Sequence, residues 1–183
     1  MRDKAIGMVI VLTLISALSA FILAGVNELT DAKIKEAYRK DFLKGLTEVL
    51  PGFDNEPDRE VKEYNGNKIY IGRKNGEIIG YAVQSRSAKG YAGDIVVLVG
   101  VDTKGKILGI EIIKHAETPG LGNKIENPEW KDSFKNKDVR SNIHVKKDGG
   151  EIDSFSGATI SPRAVCEAVR DALKLMNEAG GEK

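Results

Sequence analysis

Asp94-Ile95-Val96-Val97-Leu98-Val99-Gly100-Val101, then Asp102-Thr103-Lys104-Gly105, then Lys106-Ile107-Leu108-Gly109-Ile110-Glu111-Ile112-Ile113-Lys114 read as strand, tight turn, strand. The same pattern stands just upstream. Lys68 to Lys74, Asn75-Gly76 and Glu77 to Gln84 form a second strand–turn–strand unit, and Asn-Gly suits a type I′ hairpin turn. The two units echo each other: Gly72…Gly76-Glu77-Ile78-Ile79-Gly80 against Gly100…Gly105-Lys106-Ile107-Leu108-Gly109. The echo is read as structural, two hairpins of one twisted sheet.

Downstream, residues 115–127 are loop-rich, with Pro119, Gly120 and Gly122. Asn127-Pro128 starts a short helix carrying Trp130 and Phe134, and residues 135–150 are polar, with a short strand expected near 142–146. A last helix is expected from about Pro162 to Asn177. Ser161 is its natural N-cap, Pro162 suits its first position, and Val165, Ala168, Val169, Ala172 and Leu173 form its apolar face. The fold class is therefore α+β, a mostly antiparallel twisted sheet with flanking helices.

Upstream of the hairpins, Thr30 or Asp31 can cap a helix running to about Leu50, with Ile34, Ala37, Tyr38, Phe42, Leu46 and Val49 at helical spacing. Pro51-Gly52 ends it, and 52–60 reads as a turn-rich link. Ahead of that helix, no charge occurs from Ala5 to Asn27, and Ile6 to Ala24 is almost wholly apolar. About 20 residues of helix span about 30 Å, the depth of a bilayer core. The alternative is a cleavable signal peptide, but its apolar region is typically about 7–15 residues. The run here is longer and lacks a strong cleavage site, so an uncleaved anchor is expected. The division follows: a membrane anchor over 1–27, a helix and link over 28–59, and a domain over 60–183. Arg2 and Lys4 precede the span while Lys33, Lys35, Arg39 and Lys40 follow it, so flanking charge leaves the orientation open. Because large domains translocate regardless of such charges, the domain is placed outside the cytoplasm, on a single-pass inner or plasma membrane protein.

Lys and Arg number 28 against 27 Asp and Glu, and this near-neutral balance gives no reason to expect nucleic-acid binding. Cys166 is the sole cysteine, which excludes an intrachain disulfide and a cysteine-based metal cluster. His115 and His144 lack partners at ligand spacing, and both read as structural or surface residues.

The stretch that carries chemistry is Asp153-Ser154-Phe155-Ser156-Gly157-Ala158-Thr159, directly before the last helix. Small residues let another group approach the backbone, and a helix N-terminus with Arg163 in its first turn favours an anion. Residue chemistry alone proposes a phosphate site there, or merely a turn.

Asp-x-x-Ser-Gly-Ala-Thr resembles the attachment motif of the FMN-binding domain family of Rnf-type electron-transport complexes, shared by the C-subunit of sodium-pumping NADH:quinone reductases. Gly90-Tyr91-Ala92-Gly93 and His115-Ala116-Glu117-Thr118-Pro119-Gly120-Leu121-Gly122 match two further family segments, and the likeness covers roughly residues 60–178. With its short chain, the sequence is most similar to the G-subunit branch (Rnf/Rsx). The resemblance implies FMN joined by a phosphoester to the Thr159 hydroxyl, placed there from FAD by a flavin transferase that reads Asp153, Ser156, Gly157 and Ala158. It also implies that Glu117, Thr118, Leu121 and Tyr91 shape the flavin's surroundings, with no catalytic or metal residue. Gly120-Leu121-Gly122 is no dinucleotide fingerprint, for its third glycine is missing. A core position is expected for Trp130 and a buried one for Cys166.

The implied function is a redox subunit of a membrane oxidoreductase passing electrons between ferredoxin and NAD while moving an ion. It would work beside the other members of the complex and not turn over alone. Two alternatives stay open: a flavin donor to another extracytoplasmic reductase, and a tethered binding or assembly module whose Thr159 is never modified.

Overall fold

The Val- and Ile-rich hairpin over 93–114 lies within a five-stranded antiparallel sheet in the computed structural model, which describes residues 2–181. The strands are β1 (Val61–Tyr64), β2 (Asn67–Lys74), β3 (Glu77–Gly90), β4 (Gly93–Asp102) and β5 (Ile107–Lys114). They lie side by side in sequence order, so every connection is a local hairpin. Asn75 and Gly76, at φ 51° and 82°, make the left-handed turn between β2 and β3 that Asn-Gly favours. Between β4 and β5, Asp102 Oδ1 accepts from the backbone N–H of Lys104 and of Lys106.

Two strand features depart from the sequence reading. β1 was not expected. It is a four-residue edge strand with only half-buried or exposed side chains, too short to show a period. β3 runs on past Gln84 to Gly90, because Ser85, Arg86 and Ser87 keep pairing with Val97, Val96 and Ile95. Sheet partners, rather than apolar content, carry the strand through those polar residues.

β4 is buried from Ile95 to Val101 because both faces of the sheet are covered. On one face Ile95, Val97, Val99 and Val101 share a core with Val165, Val169, Ala172 and Leu173 of α3 (Ile160–Gly181). On the other, Ala82 and Leu98 pack with Phe42, Leu46, Val49 and Leu50. The glycine echo acquires a physical cause on this second face. A Cβ on Gly100 would sit 2.1 Å from the Val49 carbonyl oxygen, one on Gly109 3.2 Å from that of Glu48, and one on Gly80 3.0 Å from Leu50 Cδ2. Glycines at paired positions let the chain at Glu48–Leu50 lie directly on the sheet.

The helix α1 spans Arg2–Val49. Thr30 and Asp31 do not start a new helix, as the sequence suggested. The Thr30 hydroxyl instead donates to the Val26 carbonyl at 2.8 Å, four residues back, as a mid-helix threonine does. Met1–Lys40 and Asp41–Lys183 are separate compact units. The first is long and apolar enough to cross a membrane, and its side chains from Ile6 through Ile34 are exposed. Gly52, at φ 88°, turns the chain out of α1. The following link is tied to the sheet: Asn55 Oδ1 accepts from Arg73 N at 2.9 Å, and Asn55 Nδ2 donates to the Ile71 carbonyl at 2.8 Å.

α2 (Pro128–Asp132) is capped by Asn127, whose side chain accepts from Glu129 N. Its Trp130 is buried and packs against Phe134 with ring centroids 5.1 Å apart. The strand expected near 142–146 is a single bridge, Val145 with Ile152, that closes the 145–152 segment into a loop.

Candidate functional site

The segment from Asp153 to Thr159 is held by Trp130 and by its own turn before it meets α3. Trp130 Nε1 donates to the Asp153 carbonyl at 2.7 Å, and the Trp130 ring lies 5.5 Å from that of Phe155. Phe155 to Ala158 is a β-turn: Ala158 N donates to the Phe155 carbonyl at 3.1 Å, and Gly157 stands at φ 78°. A side chain at Gly157 would be strained by that backbone although the space around it is open, which gives the small residue its reason.

Thr159 follows immediately and α3 begins at Ile160. Thr159 is thus at the N-cap, not two residues ahead of it, and its carbonyl accepts from Arg163 N at 3.2 Å. Ser161 is not the cap. It is a helix residue, 1% exposed, and its hydroxyl donates to Glu117 Oε2 at 2.6 Å. A Ser-Pro pair is a good helix start, but here a tertiary carboxylate takes the hydroxyl.

Glu117 draws the three sequence segments together. It is 5% exposed. Oε2 receives Ser161 from α3, while Oε1 receives the Ala92 N–H, 3.2 Å away, from the β3–β4 turn. Two glycines lie against this carboxylate, Gly90 being confined first by the Gly93 carbonyl oxygen at 2.2 Å from a would-be Cβ. A Cβ on Gly122 would lie 2.4 Å from Oε2, and one on Gly90 would lie 2.8 Å from Oε1. Below it, His115 Nδ1 accepts from Glu117 N at 3.0 Å, which leaves Nε2 as the N–H facing Glu126 Oε1 at 3.1 Å. His115 is therefore structural in its contacts, and Glu117 has both oxygens engaged by protein donors, an arrangement unlike that of a general base.

Ala92, Gly122 and Ser161, which lie against Glu117, each follow an exposed apolar residue. Tyr91 precedes Ala92 and is 71% exposed, Leu121 precedes Gly122 at 47%, and Ile160 precedes Ser161 at 44%. Thr118 is exposed on the same loop. Tyr91, Thr118 and Leu121 thus stand on segments that the carboxylate ties to the start of α3.

The charges around Thr159 are mostly paired. Arg163 makes a bidentate bridge to Asp148, with both contacts at 2.7 Å, and its guanidinium holds the Asp148 carboxyl below the usual aspartate range. Lys146 Nζ binds the exposed Asp153 carboxylate at 2.8 Å. Lys147, which no sequence signal singled out, donates from Nζ to Thr159 Oγ1 at 3.2 Å. A cleft of about 240 Å³ opens beside this point, lined by His144, Asp148, Ile160, Arg163, Glu167 and Arg170. Cys166 also lines it, buried on α3, and burial pushes its thiol up to about 12.

The donor set suits a phosphate ester. Thr159 supplies a half-buried hydroxyl and Lys147 a cation. Ile160 N–H and Ser161 N–H have no acceptor among the described residues, and helix-start amides of this kind favour an anion. Among the described residues, no group of three or more His, Cys, Asp or Glu is placed to hold a metal ion.

Residues 90–174 match the family model described as FMN-binding domain. The chain is 41% identical over 183 residues to the G-subunit of the ion-translocating oxidoreductase complex of Photorhabdus laumondii, covering 91% of this chain and 88% of that protein. It is 38% identical to the Pasteurella multocida protein of the same description, covering 94% of each. Among solved structures, it is similar to the C-subunit of the Na(+)-translocating NADH-quinone reductase from Parabacteroides distasonis, at TM-score 0.54 and 24% identity, over 64% of each chain. That match spans just under two thirds of the solved chain. Shewanella oneidensis NqrC superposes at TM-score 0.52 with 19% identity, over 76% of this chain and 74% of that one. At such identities the two solved structures establish a shared fold, whereas the curated relatives establish more: this chain belongs to the G-subunit family of ion-translocating oxidoreductase complexes and carries that family's FMN-binding domain.

Proposed function

We propose that this protein is a membrane-anchored electron carrier of an Rnf-type ion-translocating ferredoxin:NAD oxidoreductase, with FMN joined by a phosphoester to Thr159. The observation that carries the reading is the presentation of Thr159. Its hydroxyl sits at the start of α3 beside a lysine cation and two backbone N–H groups that have no acceptor among the described residues. It lies in a seven-residue segment matching the family's attachment motif. When bound, the flavin exchanges electrons singly or in pairs, which lets one site join two-electron and one-electron partners.

The protein's part is attachment and surroundings. A covalent tether retains the flavin at an open surface, for the neighbouring cleft of about 240 Å³ is lined by Ile160 and Arg163 and not by Thr159, Tyr91, Thr118 or Leu121. Tyr91, Thr118 and Leu121 offer exposed surface to the flavin, while Glu117 holds their segments in place without touching it. Asp153 and Ser156-Gly157-Ala158 are the exposed or turn-forming features a flavin transferase reads before transfer. The domain over 60–183 stands outside the cytoplasm on the anchor formed by 1–27, beside the other members of the complex.

The test is denatured intact mass and visible absorbance of the chain co-produced with a flavin transferase. A gain of one FMN less one water, with yellow colour that survives denaturation, is the expected result. Unmodified, colourless protein, with the transferase active on a control substrate, sinks the reading and favours a tethered binding module.

A further inference from the structure

Three cationic side chains stand around Thr159, and two of them are paired with carboxylates. Arg163 is locked to Asp148 by two 2.7 Å contacts, and Lys146 is paired with Asp153. Lys147 has no carboxylate at ion-pair distance among the described residues, and its amine reaches Thr159 Oγ1. This placement is built rather than incidental. Lys146–Asp148 is a single 3-10 turn, fixed at its base by the Val145–Ile152 bridge and by Lys146 N donating to the Ile152 carbonyl at 2.7 Å. The next residue, Asp148, pins that turn to the first turn of α3 through Arg163. Among the described residues, the backbone of α3 offers a phosphate the Ile160 and Ser161 N–H groups and no more. Pro162 has no N–H, and Arg163 N is taken by the Thr159 carbonyl.

We propose that Lys147 is the positioning cation of flavin attachment. It orients the Thr159 hydroxyl for transfer and then neutralises the phosphodiester that forms. The inference rests on the Thr159 reading above. In the transfer, Thr159 Oγ forms a bond to the FMN phosphorus of FAD and the phosphoanhydride bond to the adenylate breaks. AMP leaves, and the hydroxyl proton passes to solvent or to a base of the transferase. An ammonium donating to one lone pair fixes the hydroxyl rotor and leaves the other lone pair for attack. The product carries one negative charge on the phosphate's non-bridging oxygens, two bonds beyond Oγ1 and still within reach of the same amine.

Full-length protein in detergent, incubated with FAD and flavin transferase, gives the attachment rate by intact mass. Lys147→Ala should slow attachment by about 10- to 100-fold, the range of a lost charge-assisted hydrogen bond. Lys147→Arg should restore most of the rate, Lys147→Glu should be worse than alanine, and Lys104→Ala, in the distant β4–β5 turn, should match wild type. A second readout uses protein loaded by prolonged incubation. The phosphodiester ³¹P resonance should differ between Lys147→Ala and wild type at one fixed pH, and Lys147→Arg should return it toward the wild-type position. Wild-type attachment rate in Lys147→Ala, or a loss that Lys147→Arg does not restore with the ³¹P resonance the same in Lys147→Ala as in wild type, overturns the role of Lys147 alone. Wild-type chain that never gains the FMN mass overturns the Thr159 reading itself.

Discussion

Among the described residues Thr159 Oγ1 has one hydrogen-bond partner, the exposed Lys147 amine, so its hydroxyl does little for stability. Thr159→Val should change stability by no more than about 0.5 kcal/mol, as a surface substitution does. It should also abolish the flavin mass gain, whereas Thr159→Ser should keep it. Covalent flavin on the valine variant would contradict the assignment. Glu117 behaves oppositely, because its two oxygens join segments far apart in sequence. Glu117→Ala leaves the Ser161 hydroxyl and the Ala92 amide without their partner and should cost about 1–3 kcal/mol in thermal denaturation. Glu117→Gln can accept from Ala92 with its oxygen and donate to Ser161 with its nitrogen, so it should recover most of that loss. Equal losses in both variants would show that the carboxylate bonds are not what holds the loops. Cys166 is buried on α3 with its thiol pushed up to about 12, so native protein at pH 8 should resist thiol alkylation until it is unfolded.

At the scale of elements, the approach of Glu48–Leu50 to the sheet depends on missing side chains. Gly100→Ala would press a Cβ to 2.1 Å from the Val49 carbonyl oxygen, and backbone must move. A loss of about 1–3 kcal/mol is expected by denaturant titration. The Asp148–Arg163 bridge joins the 3-10 turn to α3 and has a defined pH dependence. Because Arg163 lowers the Asp148 pKa beneath its ordinary 3.8, the bridge contributes above that value and fades as pH falls below it. The difference in melting temperature between wild type and Asp148→Asn should therefore be steady near neutrality and shrink below pH 3.8. A difference that disappears already at pH 6 would contradict the bridge. These elements also mark how far sequence reading reaches. Asn75-Gly76, the β4–β5 run and the apolar face of α3 were legible because turn chemistry and local period decide them. Lys147 was not, since it meets Thr159 only after Val145 pairs with Ile152 and Asp148 binds Arg163. Ser161 was misread because its partner lies 44 residues away. Thr159 itself was legible only as part of a family motif, and its position at the helix start came from the structure.

Over the whole molecule, an apolar N-terminal segment and an FMN-binding domain sit on one chain. A hydrophobic span holds by apolar transfer, which salt does not screen. The protein should therefore stay with the membrane pellet through high-salt and alkaline carbonate washes, and release by salt alone would contradict the anchor. The proposed extracytoplasmic orientation predicts that protease added to spheroplasts degrades the domain, and full protection would contradict it. The attachment itself is read most directly from peptides. Trypsin cleaving after Lys147 and after Arg163 yields the 148–163 peptide, which holds Ser154, Ser156, Thr159 and Ser161 together. Fragmentation of this peptide from chain matured by a flavin transferase should place one FMN, less one water, on Thr159. The same mass on one of the three serines, or on another peptide, would contradict the assignment of Thr159 as the flavin's point of attachment.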